Sequence, residues 1–229
     1  IYINMRAFIH ITHQEQRIEP GDLLEAESKK NSMNNVDIKH AFTLLKANNI
    51  KDMIILGDPG AGKTTLLKYI IINLIEGRGE EIFGLSSELI PFYVPLREMK
   101  NPKREDFHTF IARICNFDER GVTQKDFLEI LKNGKAIIFL DGLDEVTMGK
   151  RLEVIQWVEK ARNTYSKVHF IITSRFAGYT GKYRPDGNLI ELAINDFSQA
   201  EIKEFLYNWY MTVESFLHND NEYAKRKGE

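Results

Sequence analysis

Cysteine is nearly absent from the 229-residue sequence: Cys115 stands alone. One thiol excludes an intrachain disulfide and any cysteine-built metal cage, and it fits a reducing compartment, so the cytoplasm is the expected location. Long apolar runs are also missing. The longest, at residues 69–75 and 136–140, suit a buried helix face and a buried strand but fall far short of a bilayer span, so no membrane partner is expected. Neither sign of charge dominates. With 31 basic and 33 acidic residues the formal charge is −2, which removes any global electrostatic case for nucleic acid, and the basic runs at 100–104 and 225–227 read as solvated faces. Residues 1–6 lack a charged segment followed by an apolar stretch and so are not a secretion signal. They also lack an initiating methionine, from which the chain is expected to be cut from something longer. Histidine offers no metal centre: His10 and His13 lie three apart without a third ligand of suitable spacing, and His40, His108, His169 and His218 have no assignable role.

What is present is an ordinary globular composition, 43% hydrophobic and 28% charged, in a chain long enough for one α/β domain and a fragment of another. No internal repeat or low-complexity tract occurs. Residues 14–35 form a polar stretch that reads as a linker, so residues 1–35 are taken as an N-terminal extension. From residue 36 the positions Ala41, Phe42, Leu44 and Leu45 follow helical spacing up to Asn48 and Asn49. Short, fully apolar runs then recur at 53–56, 90–94, 136–140, 168–172 and 189–192, the pattern of parallel strands covered on both faces. Helical segments with recognisable starts lie between and after them: Asn101 before Pro102, Thr123 with Asp126, and Ser198 with Glu201. Alternating strand and helix predict an α/β three-layer sandwich over residues 36–195, with a mainly parallel five-stranded sheet and ligands at the carboxyl ends of the strands. Residues 196–229, with Ile202, Phe205, Leu206, Trp209 and Tyr210 on one helical face and no strand after them, read as the start of a small helical domain.

The most specific signal lies at 57–64: Gly57, Asp58, Pro59, Gly60, Ala61, Gly62, Lys63 and Thr64 match G-x-x-x-x-G-K-[ST], followed by a second threonine, Thr65. At average composition a chain of this length matches on the order of once in a hundred by chance. The match begins at the end of a strand-like run and opens an apolar helix ended by Gly77, the order the chemistry requires. Glycines let successive N–H groups curl around an anion, and the helix amino terminus adds partial positive charge. Lys63 is expected to reach the β- and γ-phosphates of a nucleoside triphosphate, and the Thr64 hydroxyl to ligate Mg²⁺. A plain Gly-Pro turn would need neither side chain.

A Mg²⁺–phosphate site also needs a carboxylate from a neighbouring strand, and Asp141 stands at the tip of the apolar run 137–140. Asp144 and Glu145 follow within one turn. Three acids converging there would repel one another without a cation, which favours bound Mg²⁺. Glu145, with Asp144 as the rival, would polarise the attacking water. A third polar tip, Thr173, Ser174 and Arg175, ends the run 168–172. Arg175 has two readings: a sensor of the γ-phosphate that stabilises transition-state charge, or a structural ion pair with Asp144 or Glu145.

These three motifs, Gly57-Asp-Pro-Gly-Ala-Gly-Lys-Thr-Thr65, Ile137-Ile-Phe-Leu-Asp-Gly-Leu-Asp-Glu145 and Ile171-Ile-Thr-Ser-Arg175, resemble the NACHT family of P-loop signal-transduction NTPases, the STAND class. The segment Pro-Phe-Tyr-Val-Pro-Leu-Arg at 91–97 looks like that family's second strand, and 196–210 like the opening of its first helical domain. The resemblance implies a slow, Mg²⁺-dependent ATPase switch in signal transduction or in innate or antiphage defence. In such a switch ADP holds a closed monomer and ATP favours an assembling homo-oligomer, with sensor and effector domains outside this chain. In relatives a winged-helix histidine contacts the nucleotide, and it would lie beyond residue 229. Here Phe176 follows Arg175 where relatives commonly have proline. Two other readings use the same loop: a small-molecule kinase, for which no acceptor pocket or separate catalytic aspartate is identifiable, and a nucleotide-binding module with negligible turnover. No Asn-Lys-x-Asp guanine motif occurs, which favours adenine.

Overall fold

A computed structural model describes residues 7–12, 37–194 and 198–218. The polar stretch 14–35, His13, the junction at 195–197 and the basic run 225–227 lie outside these. Five strands, β2 (Asp52–Leu56), β3 (Ile90–Pro95), β4 (Ala136–Asp141), β5 (His169–Ser174) and β6 (Leu189–Ile194), run parallel as expected. A sixth, β1 (Ala7–Thr12), joins them antiparallel to β6, pairing Ala7 with Ile194 and Thr12 with Leu189. It falls within the segment read from sequence as an extension, where His10 interrupts Phe8, Ile9 and Ile11 and leaves no unbroken apolar run of the kind that marks the other strands.

The spatial order is β1-β6-β2-β5-β4-β3. The period of two along each strand explains the two cores. Ile54, Leu56, Phe92, Val94, Ile138, Leu140, Phe170 and Ile172 face one side, where α4 (Phe107–Ile114), α5 (Phe117–Arg120), α6 (Gln124–Lys132) and α7 (Met148–Thr164) supply Phe110, Phe117, Phe127 and Trp157. Met53, Ile55, Ile137, Phe139, Ile171, Ile190 and Leu192 face the other, against α1 (Ile38–Ala47), α2 (Lys63–Ile75) and α3 (Gly79–Phe83). Sheet strands buried on both faces need apolar residues at both parities, hence the unbroken runs in the sequence. β3 is the exception. Among the described residues it pairs only with β4, exposes Ile90 and carries Pro91 and Pro95, residues an edge strand tolerates because it need not donate on its free side.

Caps fix the helix starts. Thr123 and Asp126 form a reciprocal capping box on α6, and Ser198 and Glu201 do so at α8 (Gln199–His218). The expected start at Asn101 is instead a turn, in which Arg104 and Glu105 donate to the Asn101 carbonyl, and α4 begins after Asp106. Residues 103–106 are all charged and offer the core nothing, so the helix waits for Phe107, which is buried. At the far end of the sheet Arg162 of α7 pairs with Asp52 at 2.7 Å and donates to the Asp186 carbonyl. No described helix is long and apolar enough to cross a membrane.

Candidate nucleotide site

The carboxyl ends of β2, β3, β4 and β5 open on one edge of the sheet, and the three sequence motifs occupy three of them. Leu56 leads into the phosphate loop. Gly60 and Gly62 hold φ of +84° and +85°, values that L side chains rarely adopt, and a Cβ added at Gly60 would meet nothing within 4 Å. The loop therefore presents its backbone to open space. α2 starts with Gly62 as N-cap, with no side-chain capping bond and no acid in its first turn. Its first N–H groups have no intrahelical partner, and the positive end of its dipole has no acid from the helix's own first turn. Thr64 and Thr65 are exposed in that first turn. Lys63 folds back over the loop, donating to the carbonyls of Gly57 at 2.8 Å and Asp58 at 3.0 Å. Partial burial pushes its pKa down, and the negative charges of Asp144 and Asp141 oppose that while Arg175 adds to it. All three motifs are thus within electrostatic reach of one ammonium.

Asp141 lies at the centre. Its Oδ2 accepts from Thr64 Oγ1 at 2.9 Å and from Tyr93 OH at 2.7 Å, and its Oδ1 accepts from Thr173 Oγ1 at 2.5 Å. The expectation of a neighbouring strand is corrected by the topology: β5 lies between β2 and β4. Asp141 reaches Thr64 because β5 fills the gap with a small polar side chain at its tip, Thr173, which also accepts the Gly142 N–H at 2.8 Å. Tyr93 and Thr173 were given no role from sequence. The available signal was polar atoms at the last inward positions of apolar strands. Burial and the bond to Asp141 push the Tyr93 pKa far up, so its hydroxyl stays a donor.

The acids do not converge as expected. Gly142 (φ +79°) turns the chain into the short helix Leu143–Glu145, and Leu143 buries itself in the core as the anchor. Asp144 and Glu145 then leave in different directions. Asp144 takes the backbone N–H of Arg175 at 2.9 Å and its Nε at 2.9 Å. Glu145 folds back over Gly142, where a Cβ would lie 2.9 Å from its Cδ, and pairs with Arg97 Nη1 at 3.3 Å. Among the described residues no group of three or more His, Cys, Asp or Glu is gathered to hold a metal. Each acid has its own donor, so mutual repulsion is no argument for a cation here. The donor set still fits Mg²⁺: a hydroxyl and a carboxylate oxygen already 2.9 Å apart, with Thr64 exposed to solvent. Of the two sequence readings of Arg175, the ion pair is the one its geometry displays, with Asp144 as partner.

A family model described as NACHT domain matches residues 51–212. No curated protein matches the chain. Among solved structures, the Aeropyrum pernix ORC1 protein in complex with DNA is similar at 16% identity, with a TM-score of 0.46, over 74% of this chain and 47% of that one. A Walker-type ATPase of Pyrococcus abyssi is similar at 14% identity and a TM-score of 0.43, over 83% of this chain and 69% of that one. The Thermotoga maritima RuvB Holliday junction branch migration motor gives 14% identity and a TM-score of 0.40, over 87% of this chain and 54% of that one. This chain therefore spans about half the length of two of these three proteins.

Proposed function

Given that the chain belongs to the NACHT family of P-loop NTPases, we propose that it binds ATP with Mg²⁺, hydrolyses it slowly, and serves as the conformational switch of a larger signalling or defence protein. The observation that carries this reading is the bond from Thr64 to Asp141, which joins the phosphate loop and the acid strand 77 positions apart. The N–H groups of the loop and of the first turn of α2 would hold the β- and γ-phosphates. Lys63 would exchange its bonds to the Gly57 and Asp58 carbonyls for phosphate oxygens, which needs only a rotation of its flexible stem. Thr64 and Asp141 would hold Mg²⁺, which when bound neutralises charge on the phosphate oxygens. Tyr93 and Thr173 keep Asp141 aimed. Glu145 would accept the proton of the water that attacks the γ-phosphorus, as the bond to the β-phosphate oxygen breaks and ADP leaves. Arg175 would meet the developing charge on the γ-phosphate after parting from Asp144. The arginine side of that ion pair is half-exposed, and the largely buried Asp144 would keep the Arg175 N–H at 2.9 Å after the guanidinium left.

Cytoplasmic location, assembly into a homo-oligomer in the ATP state, and sensor and effector domains beyond this chain belong to the same proposal. A second reading, a nucleotide-holding module with negligible turnover, has one observation in its favour: both Glu145 and Arg175 are engaged in ion pairs. Calorimetric titration with ATP, ADP and GTP, each with and without Mg²⁺, combined with single-turnover hydrolysis, tests both. Lys63→Ala is expected to abolish tight triphosphate binding, and near-normal affinity would overturn the site. Glu145→Gln is expected to keep affinity and lose cleavage. Unchanged cleavage there would remove Glu145 as the base, and no cleavage by the wild type would favour the second reading.

A further inference from the structure

The acid turn after β4 is gripped from behind by a cation that none of these roles employs. Arg151, in the first turn of α7, is 8% exposed, and its Nη2 donates to the carbonyls of Asp144 at 2.7 Å and Val146 at 3.1 Å. Those two carbonyls bracket Glu145. The Tyr183 ring covers the guanidinium at 5.3 Å, and the Nε is buried with no hydrogen-bond partner. Among the described residues Arg151 makes no ion pair, whereas Arg162, the other buried arginine of α7, is neutralised by Asp52.

Burying a guanidinium with only carbonyl dipoles and an aromatic face around it is costly, and a neutral amide donor would satisfy the same carbonyls. What arginine adds is a planar, rigid group whose one Nη2 spans both carbonyls, and a fixed positive charge behind a turn that carries Asp144 and Glu145 next to Asp141. The turn itself is short of internal support: the N–H groups of Glu145 and Val146 close it at 3.0 and 3.3 Å onto Gly142 and Leu143. The half-exposed partners of its acids, Arg97 and Arg175, are the groups that nucleotide and solvent can draw away. Arg151 alone is sealed in.

We propose that Arg151 is a positioning residue for hydrolysis, its buried guanidinium fixing the backbone of the Leu143–Glu145 turn so that Glu145 and Asp144 keep their aim when their surface arginine partners let go. The inference rests on the reading of Glu145 and Arg175 given above. It assigns Arg151 no contact with nucleotide, so its loss acts on turnover and not on affinity. A misplacement near 1 Å of a reacting group lowers rate by about 10²-fold.

The test uses Arg151→Met and Arg151→Lys in the full chain. Arg151→Met is expected to lower single-turnover cleavage by about 30- to 100-fold while leaving the ATP dissociation constant within about threefold, and Arg151→Lys, which keeps charge and a donor but loses the rigid planar group, to recover about tenfold of that loss. A purely structural role would lower the melting temperature and leave cleavage by the folded fraction unchanged in both. Amide hydrogen exchange supplies a readout independent of hydrolysis: exchange at Glu145 and Val146 should quicken by at least about tenfold in Arg151→Met while β5 amides stay protected. If the wild type does not hydrolyse ATP, the proposed function fails on its own and the exchange result still decides whether Arg151 holds the turn. If Arg151→Met does not fold, Arg151→Lys carries both measurements. Wild-type cleavage together with wild-type exchange in a folded variant overturns the proposal.

Discussion

Replacing Thr173 by valine removes one hydroxyl from the floor of the site and leaves the shape of a fully buried side chain almost intact. That hydroxyl donates to Asp141 Oδ1 at 2.5 Å and accepts from the Gly142 N–H at 2.8 Å. The first bond is charge-assisted, worth about 1.5–3 kcal/mol, and the second leaves a buried N–H stranded at about 1–3 kcal/mol. The two share one atom and do not add fully, so the expected loss is roughly 2–5 kcal/mol. At about 2–4 °C per kcal/mol for a chain of this size, the melting temperature should fall by roughly 4–20 °C. Thr173→Ser keeps the hydroxyl and loses a methyl, so it should cost only about 1 kcal/mol. Calorimetry without nucleotide reads both. A second arm compares ATP binding with Mg²⁺ and with chelator. With Asp141 held only by Thr64 and Tyr93, Thr173→Val should lose more affinity in Mg²⁺ than without it. A valine variant that melts with the wild type, or a serine variant that falls as far as valine, refutes the bond network on which the site reading stands.

Three further outcomes follow from the same geometry. Tyr93→Phe deletes the hydroxyl that aims Asp141 and should weaken Mg²⁺ affinity by about 10- to 100-fold, read by Mg²⁺ titration at fixed nucleotide. An unchanged titration would show the bond to be idle. Arg175→Ala should lower single-turnover cleavage by about 10³-fold or more if the arginine meets the γ-phosphate. A full rate in that variant would leave Arg175 with the ion pair to Asp144 alone. His169 concerns stability. Burial pushes its pKa below the ordinary 6.5, outweighing the bond to the Lys51 carbonyl, while Lys51 lowers it further and Asp52 opposes. Between the lowered value and 6.5 the unfolded chain holds more protons than the folded one, so the histidine's contribution is complete above 6.5 and is lost as pH falls through the folded value. His169→Gln should flatten the acid side of a melting-temperature profile, and parallel wild-type and variant profiles would contradict the sign.

The two sides of this protein were unequally legible in its residues. The phosphate loop could be read outright because its function resides in consecutive backbone groups, and glycines at Gly60 and Gly62, a lysine and a threonine are local requirements. The five parallel strands were equally readable, since burial on both faces demands apolar residues at both parities, whereas β1, antiparallel and interrupted by His10, was not. Asp141 followed from its place at the end of such a run. The edge position of β3 was written in Pro91 and Pro95, although its meaning emerges only once β3 is seen to pair with β4 alone. The cap signal at Asn101 does not start a helix because it says nothing of whether the following residues have a core to cover, and between the buried Pro102 and the buried Phe107 stand only charged residues.

Strand order, by contrast, depends on which apolar faces meet after long crossovers, and no local pattern encodes it. The tertiary structure therefore decided that β5 lies between the loop strand and the acid strand, which makes Thr173 the bridge to Asp141. It also separated three adjacent acids. Leu143 buries, so Asp144 and Glu145 part, and each finds an arginine from a different strand end. The sequence alone determined the phosphate-loop pattern at Gly57 to Thr64, on which the proposed nucleotide site rests. Which side chains aim the groups around it was decided by packing, because hydrogen bonds among Tyr93, Thr173, Arg151 and the acid turn join residues that only the folded sheet brings within reach.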